Sequence, residues 1–484
     1  MQRADAAGVG VLALSSGPGL GLRSILTMGA RRRVSGAGAG ARALKVTLLV
    51  WGLGLAVCVT PPVVAAAAPV SVPATVPVPV ATTTMTFVDP SRSTASWGGV
   101  AAKPSRTLVT TIWYPRTSAG GPYPLIVFAH GLGASPQGYE QLLTSWAAAG
   151  YVVAAPLFPL SSNDTPGGAD GGDIGNQPAD MSYVIDQVLK VSATSGGPLS
   201  GLIDPKEIAA AGHSNGAITT LGLIGNSCCR DTRVKAAVVM AGTTEGLGRG
   251  RYQLADAPPL LIVQDLHDGL VPYPDAVAVF NQARGPKALL ALKWDSPSDG
   301  SGAVAHMAAS GVEGPTSGAV VESTTAFFNA FLKHEHGALQ AVSADGRSSL
   351  SSVHTAWTQG SRATLPVPKV AGVHLHASVT PATGLHNGQA VTVRWRGYSA
   401  GKVVNILECS HVQIATASSS GCSFAHAAIL TPDPTGSGSV VIHVGTGAIG
   451  NGVCDAGHSC YIIVNNASST DPVNTKKLPI RFAP

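Results

Sequence analysis

Charge is scarce in this 484-residue chain, where Asp, Glu, Lys and Arg make up 12% of the residues, about half the share usual in soluble domains. Apolar residues make up 45%, so the low charge does not signal disorder, which goes with an apolar-poor chain. The formal net charge of +5 arises in the first 68 residues, which hold seven basic residues (Arg3, Arg23, Arg31, Arg32, Arg33, Arg42 and Lys45) against the single acid Asp5. Residues 69–484 carry 24 basic and 25 acidic residues. That balance gives no support to a nucleic-acid partner, because neutralising phosphates needs clustered Lys and Arg. Cysteine is also scarce, at seven. No paired C-x-x-C with His at ligand spacing occurs, so the sequence suggests neither a metal site nor a cofactor. The apolar run Val46–Thr60, VTLLVWGLGLAVCVT, falls short of the roughly 20 residues of a spanning helix.

What is present begins with that run. Arg31–Arg33 and Lys45 precede it, Pro61 and Pro62 stop it, and the small residues Ala65–Ala68 follow. The order reads as an export signal cut near Ala67 or Ala68, with Met28 a better start than Met1. The expectation is a secreted protein with no stable membrane span after cleavage. Six cysteines remain beyond the leader: the neighbours Cys228 and Cys229, then Cys409, Cys422, Cys454 and Cys460. An even count in an exported chain reads as disulfides.

The chain divides as leader 1–68, Pro-rich linker 69–85, an α/β domain at 86–336, a linker at 337–372 and a β domain at 373–484. In 86–336, short apolar runs such as Leu125–Ala129, Ile208–Ala211 and Leu260–Gln264 alternate with stretches long enough for a crossover helix. This predicts a doubly wound, mostly parallel sheet covered on both faces. From Val373 the helix signals vanish. Alternating runs at 391–395, 403–407, 439–444 and 460–464 predict an all-β immunoglobulin-like sandwich.

The strongest chemical motif is GHSNG, Gly212–Gly216, between the strand IAAA and the helix-like AITTLGLI. A serine at a sharp strand-to-helix turn needs small neighbours, and the turn lifts its Oγ above the sheet. Ser214 is therefore the candidate nucleophile, with the Asn215 amide as one oxyanion donor. A serine hydroxyl needs a histidine to take its proton and a carboxylate to orient that histidine. In chain order, DLHDGLVPY offers Asp268 as the acid, with Asp265 structural, and GAVAHMAAS offers His306 as the base. His334 and His336 are read as solvated. The loop HGLGAS supplies the second oxyanion donor, the Leu132 amide, with Gly133 the alternative and His130 a packing residue. Loop 161–180 is long and Gly-rich, which suggests that it borders the substrate cleft.

With these residues in place, 86–336 resembles the α/β-hydrolase superfamily, specifically the dienelactone-hydrolase-like and platelet-activating-factor-acetylhydrolase-like esterases. RTLVTTIWYP, PLIVFAHGLG, NQPAD, GHSNG, NSCCRDTRVKAAVVMAG and DGLVPY carry the resemblance, which implies a Ser214, Asp268, His306 triad acting on a small-molecule or lipid ester. Asn215 and Ala217 depart from the large apolar residue and Gly often found there. Residues 373–484 resemble the neocarzinostatin-like apoproteins, through VTPATGLHNGQAVTV, the cysteine spacing and the ending NNASSTDP. That resemblance implies disulfides Cys409–Cys422 and Cys454–Cys460. Cys228 and Cys229 form either a vicinal disulfide or two buried thiols, and the reading leans to thiols.

The leading expectation is a secreted serine esterase working through an acyl-enzyme. The runner-up is a small-molecule binding protein whose sandwich holds a hydrophobic ligand, and a thioesterase or peptidase on the same scaffold is a third reading.

Overall fold

The computed structural model describes residues 77–484, except 163, 245–246, 248–249, 295–302, 313, 367–374, 399–403, 411–421, 431–435, 450–451 and 467–474. The leader and its cleavage site lie outside the described residues.

The first domain is a nine-stranded sheet, in chain order β1 Val80–Asp89, β2 Arg106–Pro115, β3 Tyr123–Ala129, β4 Val152–Leu157, β5 Ile203–His213, β6 Val234–Met240, β7 Leu260–Asp265, β8 Lys287–Leu292 and β9 Ser351–Ala356. Its spatial order is β1-β2-β4-β3-β5-β6-β7-β8-β9. The pairs from β4 through β8 are parallel, while the β1–β2, β2–β4 and β8–β9 pairs are antiparallel. The expected doubly wound, mostly parallel sheet is what forms. Its reason is visible in β3, whose every residue is buried. A strand with both faces covered needs an unbroken apolar run.

Alternate residues of each strand enter two cores. Leu125 and Val127 face one core with Met181, Val184 and Ile185 of α2 (Gln177–Ala193), reached after α1 (Glu140–Ala148), and with Leu221 of α3 (Asn215–Gly225) and Phe280 of α4 (Tyr273–Gln282). Ile126 and Phe128 face the other, with Leu142 and Trp146 of α1. After α5 (Ala303–Ala308), α6 (Ser317–Leu332) adds Phe327 and Phe328 to that second core, and α7 (Ala338–Asp345) adds Val342.

Two stretches expected to be linker are structured. β1 starts at Val80, inside 69–85, and pairs with β2 over ten residues. The β-branched alternation of VATTTMTFV suits an edge strand as well as an extended linker. Likewise α7 and β9 lie within 337–372, and β9 pairs with β8. As an edge strand, β9 buries little beyond Ser351, Val353 and Ala356, which leaves it a weak apolar signature.

The second domain is all-β and antiparallel. Its strands are β10 His376–Thr380, β11 Gln389–Arg396, β12 Val404–Cys409, β13 Cys422–Leu430, β14 Gly438–Val444, β15 Gly447–Ile449, β16 Gly452–Cys454, β17 Cys460–Asn466 and β18 Thr475–Ile480. They form sheets β10-β11-β14, β13-β12-β17-β18 and β15-β16. Val391, Val393 and Trp395 alternate into a core with Val404, Ile406, Ile462 and Val464. Disulfides join Cys409 to Cys422 and Cys454 to Cys460.

Candidate active site

β5 ends at His213 and α3 begins at Asn215, so one residue makes the whole turn. That residue, Ser214, has φ 57° and ψ −123°, a conformation costly for any residue with a Cβ. The flanking glycines permit it. A Cβ on Gly212 would overlap the Gly216 carbonyl, and one on Gly216 would overlap the Ala129 carbonyl. The turn holds Ser214 where β5, in the middle of the sheet, meets a helix N-terminus, where unpaired amides favour developing negative charge.

Asp268 lies just beyond β7 and is fully buried. Four donors converge on its carboxylate. The Leu270 and Val271 amides donate to Oδ1 at 2.8 and 2.9 Å, and Gln264 Nε2 and His306 Nδ1 donate to Oδ2 at 2.7 and 2.8 Å. This fixes His306 as the tautomer with the proton on Nδ1, leaving Nε2 as the acceptor. His306 sits on α5, a helix of six residues, too short to leave a periodic signature in the sequence. Ser214 and His306 open on one cavity of about 600 Å³, without a direct hydrogen bond between them.

The loop after β3 carries the remaining donors. Gly133 N–H is already engaged, donating to the Ser161 carbonyl at 2.8 Å, and Gly131 N–H donates to Tyr139 Oη at 3.1 Å. The Leu132 and Asn215 amides have no partner among the described residues, and both residues line the cavity. His130 is buried, bonded through Nδ1 to the Gly131 carbonyl at 2.8 Å, and its Nε2 accepts from Phe158 N–H at 3.1 Å. Burial pushes it down to about 4, so it is a neutral brace for the loop.

Sequence reasoning missed three polar residues here. Tyr139 Oη accepts from Gly131 and donates to His213 Nδ1 at 2.9 Å, and His213 Nε2 then donates to the His306 carbonyl at 3.0 Å. Burial, and then the neighbouring His306, push His213 down to about 3, so it stays neutral and can play both parts. This chain of bonds links the loop after β3, the Ser214 turn and His306. Gln264 is the third, orienting Asp268 while also donating to the Val271 carbonyl at 2.8 Å. A signal exists for two of them, since His213 stands inside GHSNG and Gln264 ends the apolar run of β7.

The segment 161–180 borders the cavity through Gly168 and Ala169. Buried charge anchors it. Arg106 on β2 is wholly enclosed and donates to both oxygens of Asp173 at 2.9 Å and to Asp180 at 2.6 and 2.8 Å. Gln177 adds a bond from its Nε2 to Ser161 Oγ at 2.7 Å and accepts from Thr219. The NQPAD motif thus ties the cavity wall to β2 and α3.

The other sequence readings fall as follows. Asp265 accepts from the His267 and Trp294 amides, a structural role. His334 and His336 are exposed. Of the two states left open for Cys228 and Cys229, the lean to thiols does not hold, since they are bonded to each other. Their turn is held by Asn226, whose Oδ1 accepts from the Cys228 amide and whose carbonyl accepts from the Cys229 amide. With no other cysteine in the first domain, adjacency supplies the partner. Among the described residues, no three His, Cys, Asp or Glu side chains group as a metal site, and no helix is long and apolar enough to cross a membrane.

Residues 89–247 match the chlorophyllase family model, and residues 377–482 match the neocarzinostatin family model. No curated protein matches the chain. Among solved structures, a ferulic acid esterase from Streptomyces cinnamoneus is similar at 22% identity, with 55% of this chain and 93% of that chain covered and a TM-score of 0.39.

Proposed function

We propose that this chain, an α/β-hydrolase domain followed by a neocarzinostatin-like sandwich, is an exported serine hydrolase that cleaves carboxylic esters through an acyl-enzyme. The match of residues 89–247 to the chlorophyllase model supports an esterase-type hydrolase. The observation that carries the finer reading is the meeting of the Ser214 turn, the loop after β7 and the short helix α5. Ser214 in its strained turn and the His306 ring share one cavity, with Asp268 bonded behind that ring at 2.8 Å.

The chemistry follows from those positions. His306 Nε2 takes the Ser214 proton as Oγ attacks the acyl carbonyl, and Asp268 steadies the imidazolium that forms. The Leu132 and Asn215 amides hold the oxyanion, a contribution worth roughly 3–4 kcal/mol per donor in comparable sites. The tetrahedral intermediate collapses as His306 hands its proton to the departing alkoxide. Water, deprotonated by His306, then cleaves the acyl-Ser214 bond, and the proton returns to Oγ. Export agrees with the three disulfides, which persist in oxidising surroundings. The test is hydrolysis of p-nitrophenyl esters from two to sixteen carbons. Turnover that disappears in a folded Ser214→Ala variant supports the reading, and turnover that survives the substitution contradicts it.

A further inference from the structure

The cavity wall is mostly apolar, formed by Leu132, Ala169, Ile218, Leu270, Val271 and Met307. Two carboxamides interrupt it. Asn215 presents a buried Nδ2 and Asn405 a buried Oδ1, and neither atom has a hydrogen-bond partner among the described residues. Buried polar atoms are nearly always paired, because leaving one unmet forfeits the hydrogen bonds it made in water. Here one orphan is a donor, the other an acceptor, and both border the cavity that holds Ser214.

Their backbone settings explain their direction. Asn215 is the first residue of α3, next to the nucleophile, and its carbonyl lies 3.0 Å from Thr219 Oγ1, whose proton it shares with Gln177. Asn405 lies on β12 between Val404 and Ile406, which both enter the sandwich core. Strand alternation therefore turns Asn405 to the outer face of that sheet, and this outward face contributes a wall to the cavity of the first domain. A plain alkyl ester would leave both carboxamides unmet. A substrate hydroxyl is a small neutral group that can accept from an N–H and donate to a C=O at once.

Resting on the hydrolase reading above, we infer that the cavity selects esters carrying a free hydroxyl near the scissile carbonyl, which accepts from Asn215 Nδ2 and donates to Asn405 Oδ1. The sandwich domain is then part of the specificity site.

The test compares matched esters by kcat/KM. On the acyl side these are p-nitrophenyl 3-hydroxybutyrate, 3-methoxybutyrate and butyrate. On the alcohol side they are 2-hydroxyethyl, 2-methoxyethyl and propyl butyrate. In one series the hydroxy ester is expected to exceed the plain ester by about tenfold or more, with the methoxy ester between them, since a methoxy oxygen accepts without donating. The series that shows this ranking identifies the side bearing the hydroxyl. Asn405→Leu and the smaller Asn405→Ala should each bring the hydroxy ester down to the methoxy ester. Asn215→Leu should flatten the whole ranking, and any loss it imposes on every ester cancels in the ratio. Ratios near one in the wild type, or ratios unchanged in both sets of variants, overturn the inference while plain butyrate turnover leaves the hydrolase reading standing. Absence of turnover on every ester contradicts the hydrolase reading and the inference with it.

Discussion

The two domains solve the same problem, a stable fold with few charges, in different ways. The first packs helices on both faces of a nine-stranded sheet into two large cores. It then spends that stability at the site, on a strained Ser214, a buried His213 and an enclosed Arg106. The second has a smaller core, a separate small cluster around Cys409 and Cys422, and two disulfides, as small exported domains commonly do. The strained turn and the enclosed Arg106 cluster lie in the domain with the larger cores, while the disulfides that close loops lie in the other, which encloses Glu408 as well.

Breaking the catalytic side of this comparison should give the largest effect. Ser214→Ala is expected to lower kcat by about four orders of magnitude or more with folding intact, read by ester turnover beside circular dichroism. Next is the buried ion cluster. Arg106→Met leaves the enclosed Asp173 without its guanidinium and Asp180 with Arg92 alone, and the first domain should lose about 3–5 kcal/mol. Urea unfolding followed segment by segment by hydrogen exchange checks this, and the sandwich amides should be unaffected.

A smaller effect separates the domains from the other direction. Replacing Cys409 and Cys422, thirteen residues apart, by serine should cost the sandwich about 2–3 kcal/mol, with the hydrolase amides unchanged in the same exchange experiment. Acid sharpens the contrast further. His213 and His130 protonate at about 3 and about 4 in the folded protein, against about 6.5 when unfolded. Between about pH 6.5 and those values each of these histidines binds its proton more readily unfolded, so the pair withdraws stability from the first domain as pH falls through that window, offset in part by Asp170, whose burial raises it to about 6. Among the described residues the sandwich histidines His376, His386, His443 and His458 are exposed. Hydrogen exchange at pH 7 and pH 5 should therefore show protection lost in the first domain and retained in the sandwich.

Much of this architecture is legible in the amino-acid sequence. The apolar runs of β3 to β8 mark buried parallel strands because both of their faces are covered, and GHSNG marks the turn because its glycines have no substitute there. Chain order alone points to Asp268 and His306, which the fold brings into contact. What escapes a reading along the chain are features set by tertiary neighbours. β1 and β9 are edge strands, half-buried and hence weakly patterned. Tyr139, His213 and Gln264 act through partners 4 to 93 residues away, and no local spacing announces such bonds. Asn405 borders the cavity from the other domain, a relation that one-dimensional reading has no means to reveal.

The central claim is that Ser214 is an activated nucleophile. Its most direct test is intact-mass labelling of the purified protein with a fluorophosphonate, followed by peptide mapping. One adduct per chain on the peptide bearing Ser214, lost in His306→Ala, is the predicted result. A folded wild-type protein that takes no label, or takes it at another residue, would contradict the account.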